Sequence, residues 1–393
     1  MSFDNVSNKA TIASKKPKII WLNVLVFIIT STVALIGVPL YGYFYGYDWG
    51  HLIATVLCIG YCGMSITAGY HRLWSHKAYQ ANALVRVIYA IGGAFAVQNS
   101  ALHWASDHRV HHGHVDDNDK DPYSAKKGFW YSHIGWMLRE YQAHRYQDYS
   151  NVKDLQRDPV VMWQHKHYLV LTLAANFGIP LLIGVIHGDI WGMLLTAGFL
   201  RLVISHHVTF FINSLAHIWG SQPYNVKNTA RDNGFIALFT FGEGYHNFHH
   251  HFQNDYRNGI KWWQFDPTKW LIRLLSVIGF ANNLKRSDDT KIELAKAETL
   301  MQKASQQLAN INLPDKDTLL ESLKAEYDSY TQQLMDFYDV KRQWVNAHKK
   351  QLLESPEAQE IVHKYQELCE HIQEQREKWQ AFHQQLKLKY QAV

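Results

Sequence analysis

Four apolar stretches, at residues 19–45, 51–69, 168–186 and 190–217, constrain this chain more than any other feature. Each is close to or above the roughly 20 residues that a helix needs to cross a bilayer. A backbone in hydrocarbon must also satisfy its own hydrogen bonds, so each stretch is expected to be a spanning helix. The slightly negative mean hydropathy of the whole chain would suit a water-soluble protein only if its apolar residues were evenly spread.

The flanks of these stretches predict orientation. Residues 41–50 and 184–192 carry no Lys or Arg, whereas 72–166 carry twelve, and Lys15, Lys16 and Lys18 precede the first stretch. Cationic loops stay in the cytoplasm, so both termini and the long central segment are expected there, with the turns near Asp48 and Asp189 facing out. The first stretch exceeds a signal-peptide core and has no small-residue cleavage site, so it reads as a retained helix. Cys58, Cys62 and Cys369 read as reduced packing thiols. A net charge of +5 fits a membrane-apposed face and is too diffuse to argue for nucleic acid.

Three regions follow from composition: a polar arm at 1–18, a membrane-embedded unit at 19–285 and a charged helical extension at 286–393. The apolar run 84–102, interrupted by Arg86, Gly92 and Gly93, is expected to be an interfacial or buried helix, because a fifth span would separate the histidine clusters across the membrane. In the extension, Leu320, Leu323, Tyr327, Tyr330, Leu334, Phe337, Lys341 and Trp344 alternate at spacings of three and four, the seam of a helical hairpin or coiled coil. The expected class is therefore an all-α membrane protein of four transmembrane helices, a cytoplasmic helical cap and a C-terminal helical hairpin.

Histidines carry the chemistry. They cluster as His71 and His76; His108, His111 and His112; Asn213 and His217; and His246, His249 and His250. At about 100° per residue, each HxxHH triplet presents three imidazoles from one helical face, and Asn213 shares a face with His217. His71 and His76, five apart, suit a frayed helix end. A single zinc takes four ligands, so nine imidazoles and an amide point to two metals. Imidazole suits iron, copper, nickel or zinc alike, so donor type does not choose the ion. Ionisable groups clustered where spans end favour a redox dinuclear centre acting on a lipid. His51, His133, His144, His165, His167 and His187 read as interfacial or surface groups, and His206 as a buried polar contact too far from His217 to share an ion.

At these residues the chain resembles the integral-membrane fatty acyl desaturases of the stearoyl-CoA desaturase type. The stretches that carry the resemblance are TAGYHRLWSH (67–76), QNSALHWASDHRVHH (98–112), GFWYSHIGWML (128–138), INSLAHIWGSQPY (212–224), ARDNGFIALFTFGEGYHNFHHHF (230–252) and DYRNGIKWWQFDPTKW (255–270). The resemblance implies that His71, His76, His108, His111, His112, His217, His246, His249 and His250 hold two iron ions, with Asn213 binding through a water. It implies an O2-dependent reaction that introduces a cis double bond, expected at Δ9, into a saturated long-chain acyl group carried as a CoA thioester. Electrons would come from a separate protein such as a ferredoxin, a rubredoxin or a cytochrome-b5-like carrier, since the tail has no His-Pro-Gly-Gly run.

By the same resemblance, Asn99, Trp104, Asp107, Phe210 and Arg231 would line the substrate entrance or tunnel, with Ile59 and Gly63 near its blind end. Lys126 and Lys127 are candidates for phosphate contact. Ser106 stands where animal members commonly carry an Arg that helps to hold CoA, which leaves acyl carrier protein or an intact glycerolipid as other carriers. Phe210 replaces the usual animal Trp, the stretch HHVTFFINSLAH (206–217) has a bacterial flavour, and the expected location is a bacterial inner membrane. The alternatives weighed are a histidine-box lipid hydroxylase or ketolase and a non-catalytic metal-binding membrane protein such as a transporter or sensor.

Overall fold

The computed structural model describes residues 17–309 and 316–349, and scattered positions between 361 and 384. The arm expected at 1–18 thus lies almost wholly outside the described residues. In chain order, α1 (Trp21–Tyr45) and α2 (Trp49–Ser75) are followed by α3 (Ala83–Phe95), α4 (Ala101–Gly113) and α5 (Pro159–Lys166), then α6 (Tyr168–His187) and α7 (Ile190–His217). The helices α1, α2, α6 and α7 are long and apolar enough to cross a membrane, at the four stretches where hydropathy predicts spans.

Burial separates the four into two pairs. In their most apolar windows α1 and α6 are each 17% buried, whereas α2 and α7 are 50% and 44% buried. The outer pair therefore turns Leu22, Ile28, Leu35, Leu169, Leu173 and Leu182 away from the protein, a surface that only lipid covers without loss. The inner pair carries His71 and His217, so the least lipid-exposed helices bear the polar chemistry. Trp21, Tyr43, Tyr45, Trp49 and Trp191 are exposed at span ends, where amphipathic rings match the headgroup level.

The apolar run at 84–102 is not one helix. It forms α3, breaks at Ala96 to Ser100 with Val97 and Asn99 at positive φ, and restarts as α4 behind a Ser100 cap. Three glycines let α2 and α3 meet closely. A Cβ at Gly69 would press on Tyr89, one at Gly92 on Ser65, and one at Gly93 on Tyr70. Leu84 and Ile88 remain exposed on α3, an outer stripe that suits a helix lying along a membrane surface.

Beyond α7 come α8 (Gly234–Phe239), α9 (His246–His251) and α10 (Pro267–Val277). α10 buries Thr268, Lys269 and Ile272 and exposes Trp270, Leu274 and Val277, a second interfacial stripe. Its exit is tied to the entry of α3 by the two-residue antiparallel pair β1 (Gln80–Ala81) and β2 (Ala281–Asn282), the only ladder among the described residues of an otherwise all-α fold.

The extension begins with α11 (Asp289–Ala309), which packs Ile292 and Ala295 on Tyr224 and Phe248. Its other residues, Ala297, Ala304 and Leu308, meet Leu323, Tyr330 and Leu334 of α12 (Lys316–Lys349). The eight seam residues read from spacing are all buried or half-buried. Trp379 stacks on Tyr330 with centroids 6.2 Å apart and closes the cluster.

Candidate metal centre

Four helices bring the nine box histidines together. His71 and His76 belong to α2 and its exit, His108, His111 and His112 to α4, His217 to the end of α7, and His246, His249 and His250 to α9. Their ligand atoms form two groups, each within 4.8 Å. One holds His71, His76, His108, His112 and His249, and the other His111, His217, His246 and His250.

Local backbone explains this sorting. In each HxxHH triplet the outer pair, four residues apart, points to one group while the remaining histidine points to the other: His108 and His112 against His111, and His246 and His250 against His249. A regular α-helix makes this split, because i and i+4 are 40° apart while i+3 lies to the other side. His71 and His76 need a different backbone. From Ser65 to Ser75 the helix widens to π turns, and the His76 N–H donates to the His71 carbonyl at 3.1 Å, an i→i+5 bond. This wide turn places the two rings 4.8 Å apart on one face, so the expected frayed end is instead an ordered widened helix. Asn213 and His217 also depart from the expected regular turn: α-helix ends at Asn213 and Leu215–His217 tighten to a 3-10 turn. Asn213 is half-buried, and its amide is hydrogen-bonded to no other described residue.

The Nε2 atoms converge. In the first group His76 faces His108 at 2.8 Å, His71 faces His249 at 2.9 Å and His249 faces His112 at 3.0 Å. In the second His246 lies 3.1 Å from both His217 and His250, and His111 lies 3.3 Å from His250. The outward nitrogens fix which way the lone pairs point. Glu243 Oε2 lies 2.9 Å from His71 Nδ1, and Asp121 Oδ1 lies 2.9 Å from His111 Nδ1. A carboxylate only accepts, so His111 carries its proton on Nδ1 and turns a bare Nε2 inward. His217 Nδ1 meets Thr229 Oγ1 at 2.8 Å, and that hydroxyl donates to Asp116 Oδ1 at 2.6 Å. His108 Nδ1 meets the Tyr123 hydroxyl at 3.1 Å.

Burial keeps the site neutral. It is the largest influence on His76, His108, His112, His246, His249 and His250, and with the neighbouring imidazoles it holds them well below the ordinary value of 6.5. Burial also pushes Glu243 upward, but His71 and Arg72 together hold it below the usual carboxylate range. Neutral imidazoles with inward lone pairs and acceptors behind them are what a nitrogen-ligated transition ion requires, so the donor set fits a metal in each group.

The carboxylates behind the ligands were only half visible in the sequence. The acidic run after His114 turns back on the site through Asp116 and Asp121, and Glu243 sits three residues before His246; proximity to the boxes was the available signal. Of the expected substrate residues, Trp104 stacks on His108 at 4.7 Å, and Phe210 is buried beside Phe27 and His133. Asp107 is held by His103 and Arg145, each at 3.3 Å, and the Arg231 guanidinium donates to the Gly220 carbonyl at 3.3 Å. Asn99, Lys126 and Lys127 are exposed, the last over the Tyr131 ring. His206 Nε2 donates to the Ala96 carbonyl at 3.0 Å, the buried polar contact expected of it, whereas His51 and His133 are buried rather than superficial.

Ile59 and Gly63 line a narrow slot with only about 20 Å³ of free space, with Cys62, Ile66, Thr67, Gln98, Thr209 and Phe241 among its walls. It runs between α2 and α7 and reaches Thr67, one turn before His71. Gly63 lets the Phe241 ring close against α2, since the ring lies where a Cβ would be.

Comparison with known proteins adds an independent observation. Residues 47–276 match the model of the family described as fatty acid desaturase. "Acyl-CoA desaturase 1" of Saccharomyces cerevisiae is 43% identical over 299 residues, covering 74% of this chain and 57% of the yeast protein. "Probable acyl-CoA desaturase" of Schizosaccharomyces pombe is 48% identical over 243 residues, covering 62% and 50% of the two chains. "sn-2 palmitoyl-lipid 9-desaturase" of Nostoc is 36% identical over 276 residues, covering 69% of this chain and 92% of that one. The match thus spans about half the length of the two yeast relatives.

Proposed function

The chain belongs to the fatty acid desaturase family, and from that premise we propose that it is an O2-dependent di-iron acyl desaturase that places a cis Δ9 double bond in a saturated long-chain acyl-CoA. The observation that carries this reading is the convergence of the Nε2 atoms of nine buried or half-buried histidines into two groups. Two irons held there would supply the oxidation, with two hydrogens lost from adjacent methylenes, O2 reduced to two waters, and two electrons and two protons entering from outside.

His71, His76, His108, His112 and His249 would hold one ion; His111, His217, His246 and His250 the other, with Asn213 contributing through a water. The rest of the chain does geometric work. Methylenes offer no polar handle, so position must come from the walls of the slot. Trp104, Phe210, Ile59 and Gly63 would fix which carbon pair lies at the metals, with Asn99, Asp107, Arg231, Lys126 and Lys127 towards the head group. Lys126 and Lys127, exposed cations, support a phosphate-bearing carrier such as CoA. The named relatives act on both CoA-linked and lipid-linked chains, so carrier choice rests on those cations.

We place the site and the termini on the cytoplasmic side, by the excess of Lys and Arg in 72–166. The matching proteins come from fungi, animals and cyanobacteria alike, so the expected bacterial inner membrane gains no support from them. A separate redox protein is the proposed electron source.

The test is expression in a host fed saturated acyl chains, with double-bond positions read by mass spectrometry. A new Δ9 monoene is expected with the wild type and absent with the vector and with His249→Ala. Hydroxy acids without alkenes would replace this reading with a lipid hydroxylase; no new product with an iron-loaded protein and a competent donor would overturn both.

A further inference from the structure

At the ends of the spans remote from the box histidines, four polar groups from two helical hairpins meet. Asp48 caps α2, His51 lies in its first turn, His187 ends α6 and Asp189 caps α7. About 30 Å of helix separates His51 from His71, at ~1.5 Å for each of the residues between.

The convergence of these side chains makes the group more than a pair of caps. Asp189 Oδ2 lies 3.0 Å from His51 Nε2, and Asp189 is itself held by the Tyr41 hydroxyl and the Gly192 N–H. On the other side of the ring, His51 Nδ1 lies 3.3 Å from the Asp48 N and 2.9 Å from Asp48 Oδ1. His187 Nε2 faces the same carboxylate at 3.1 Å, so both imidazoles converge on Asp48. One ligand atom from each of the three residues lies within 4.8 Å of the others, close enough to share a single cation. Two glycines leave the space: a Cβ at Gly50 would run into His187 and Asp48, and one at Gly192 into Asp189 and His51.

We propose that His51 Nδ1, His187 Nε2 and the Asp48 carboxylate form a binding site for one divalent transition ion of the zinc class. It would staple the α1–α2 turn to the α6–α7 turn. Donor separations of 2.9 and 3.1 Å approach the edge of a tetrahedron with ~2.0 Å bonds, about 3.3 Å. A two-imidazole, one-carboxylate set favours zinc, cobalt or nickel over calcium or magnesium. Asp189 behind His51 is the carboxylate that orients a metal-bound imidazole. Asp48 is largely exposed, which leaves a position for water and a route of entry. This inference does not depend on the desaturase reading.

Zinc should be titrated into iron-loaded protein in detergent, bound metal counted by elemental analysis, and cobalt used as the visible probe. One zinc per chain above the iron content is expected, with a tetrahedral cobalt spectrum, a raised thermal midpoint and tighter binding at pH 8 than at pH 6. In His187→Ala and Asp48→Asn the affinity should fall at least tenfold while acyl product is unchanged; in His112→Ala the zinc-induced rise in midpoint should persist. Equal zinc uptake by the wild type and both variants would overturn the proposal. So would variants that lower the midpoint without zinc while zinc leaves the wild type unmoved, the behaviour of a proton-bridged clamp.

Discussion

At the scale of single residues, the box histidines were legible because nine imidazoles at helical spacing, gathered where apolar spans end, are costly to bury unless they bind something. Their partners were not, because a carboxylate that orients a ring is chosen by three-dimensional proximity. Asp121 illustrates this. Its side chain accepts from the Asp116 and Tyr123 N–H groups and from His111, and it is fully buried, yet in the sequence it is one aspartate in a run of four. Asp121→Asn keeps the size but loses the obligate acceptor behind His111. Metal content and product formation should fall together by about 10- to 100-fold, the usual effect of removing such a partner. Wild-type metal content in that variant would show that Asp121 merely packs.

At the scale of elements, hydropathy located the four spans but could not report their internal pitch. A widened turn keeps the composition and mean apolarity of an α-helix, so the π stretch at Ser65–Ser75 left its mark only in the awkward five-residue spacing of His71 and His76. The stretch is held by close packing on α3. In Gly93→Ala the new methyl would meet the Tyr70 ring, next to His71, within a pair of helices that has no slack. Overpacking of this kind costs about 1–3 kcal/mol. The variant should unfold at lower temperature and lose activity out of proportion to its remaining folded fraction; full activity with wild-type stability would show that α3 can yield. The seam of α12 was legible for the opposite reason, since a period of three and four residues is itself the packing code.

At the scale of the whole molecule, the core of the site is a set of bases kept uncharged by burial, and this sets the direction of the pH response. The folded state holds His76, His108, His112, His246, His249 and His250 below the ordinary 6.5, while the unfolded chain takes up protons near 6.5. The stability they provide is therefore fully present above that value and is lost as pH falls below it. The thermal midpoint in detergent should be level from pH 8 to 7 and decline from 6.5 downward, with metal released over the same range. A midpoint that rises on acidification would contradict the neutral state of the site. Packing also links the centre to the extension: α11 sets Ile292 and Ala295 against Phe248, which stands between His246 and His249.

Because α4 and α9 each give side chains to both groups, the separation of the two histidine groups follows from the rise and rotation of an α-helix, which no surface loop can retune. Evolution can reshape the surrounding surfaces while the distance between the two groups stays constant.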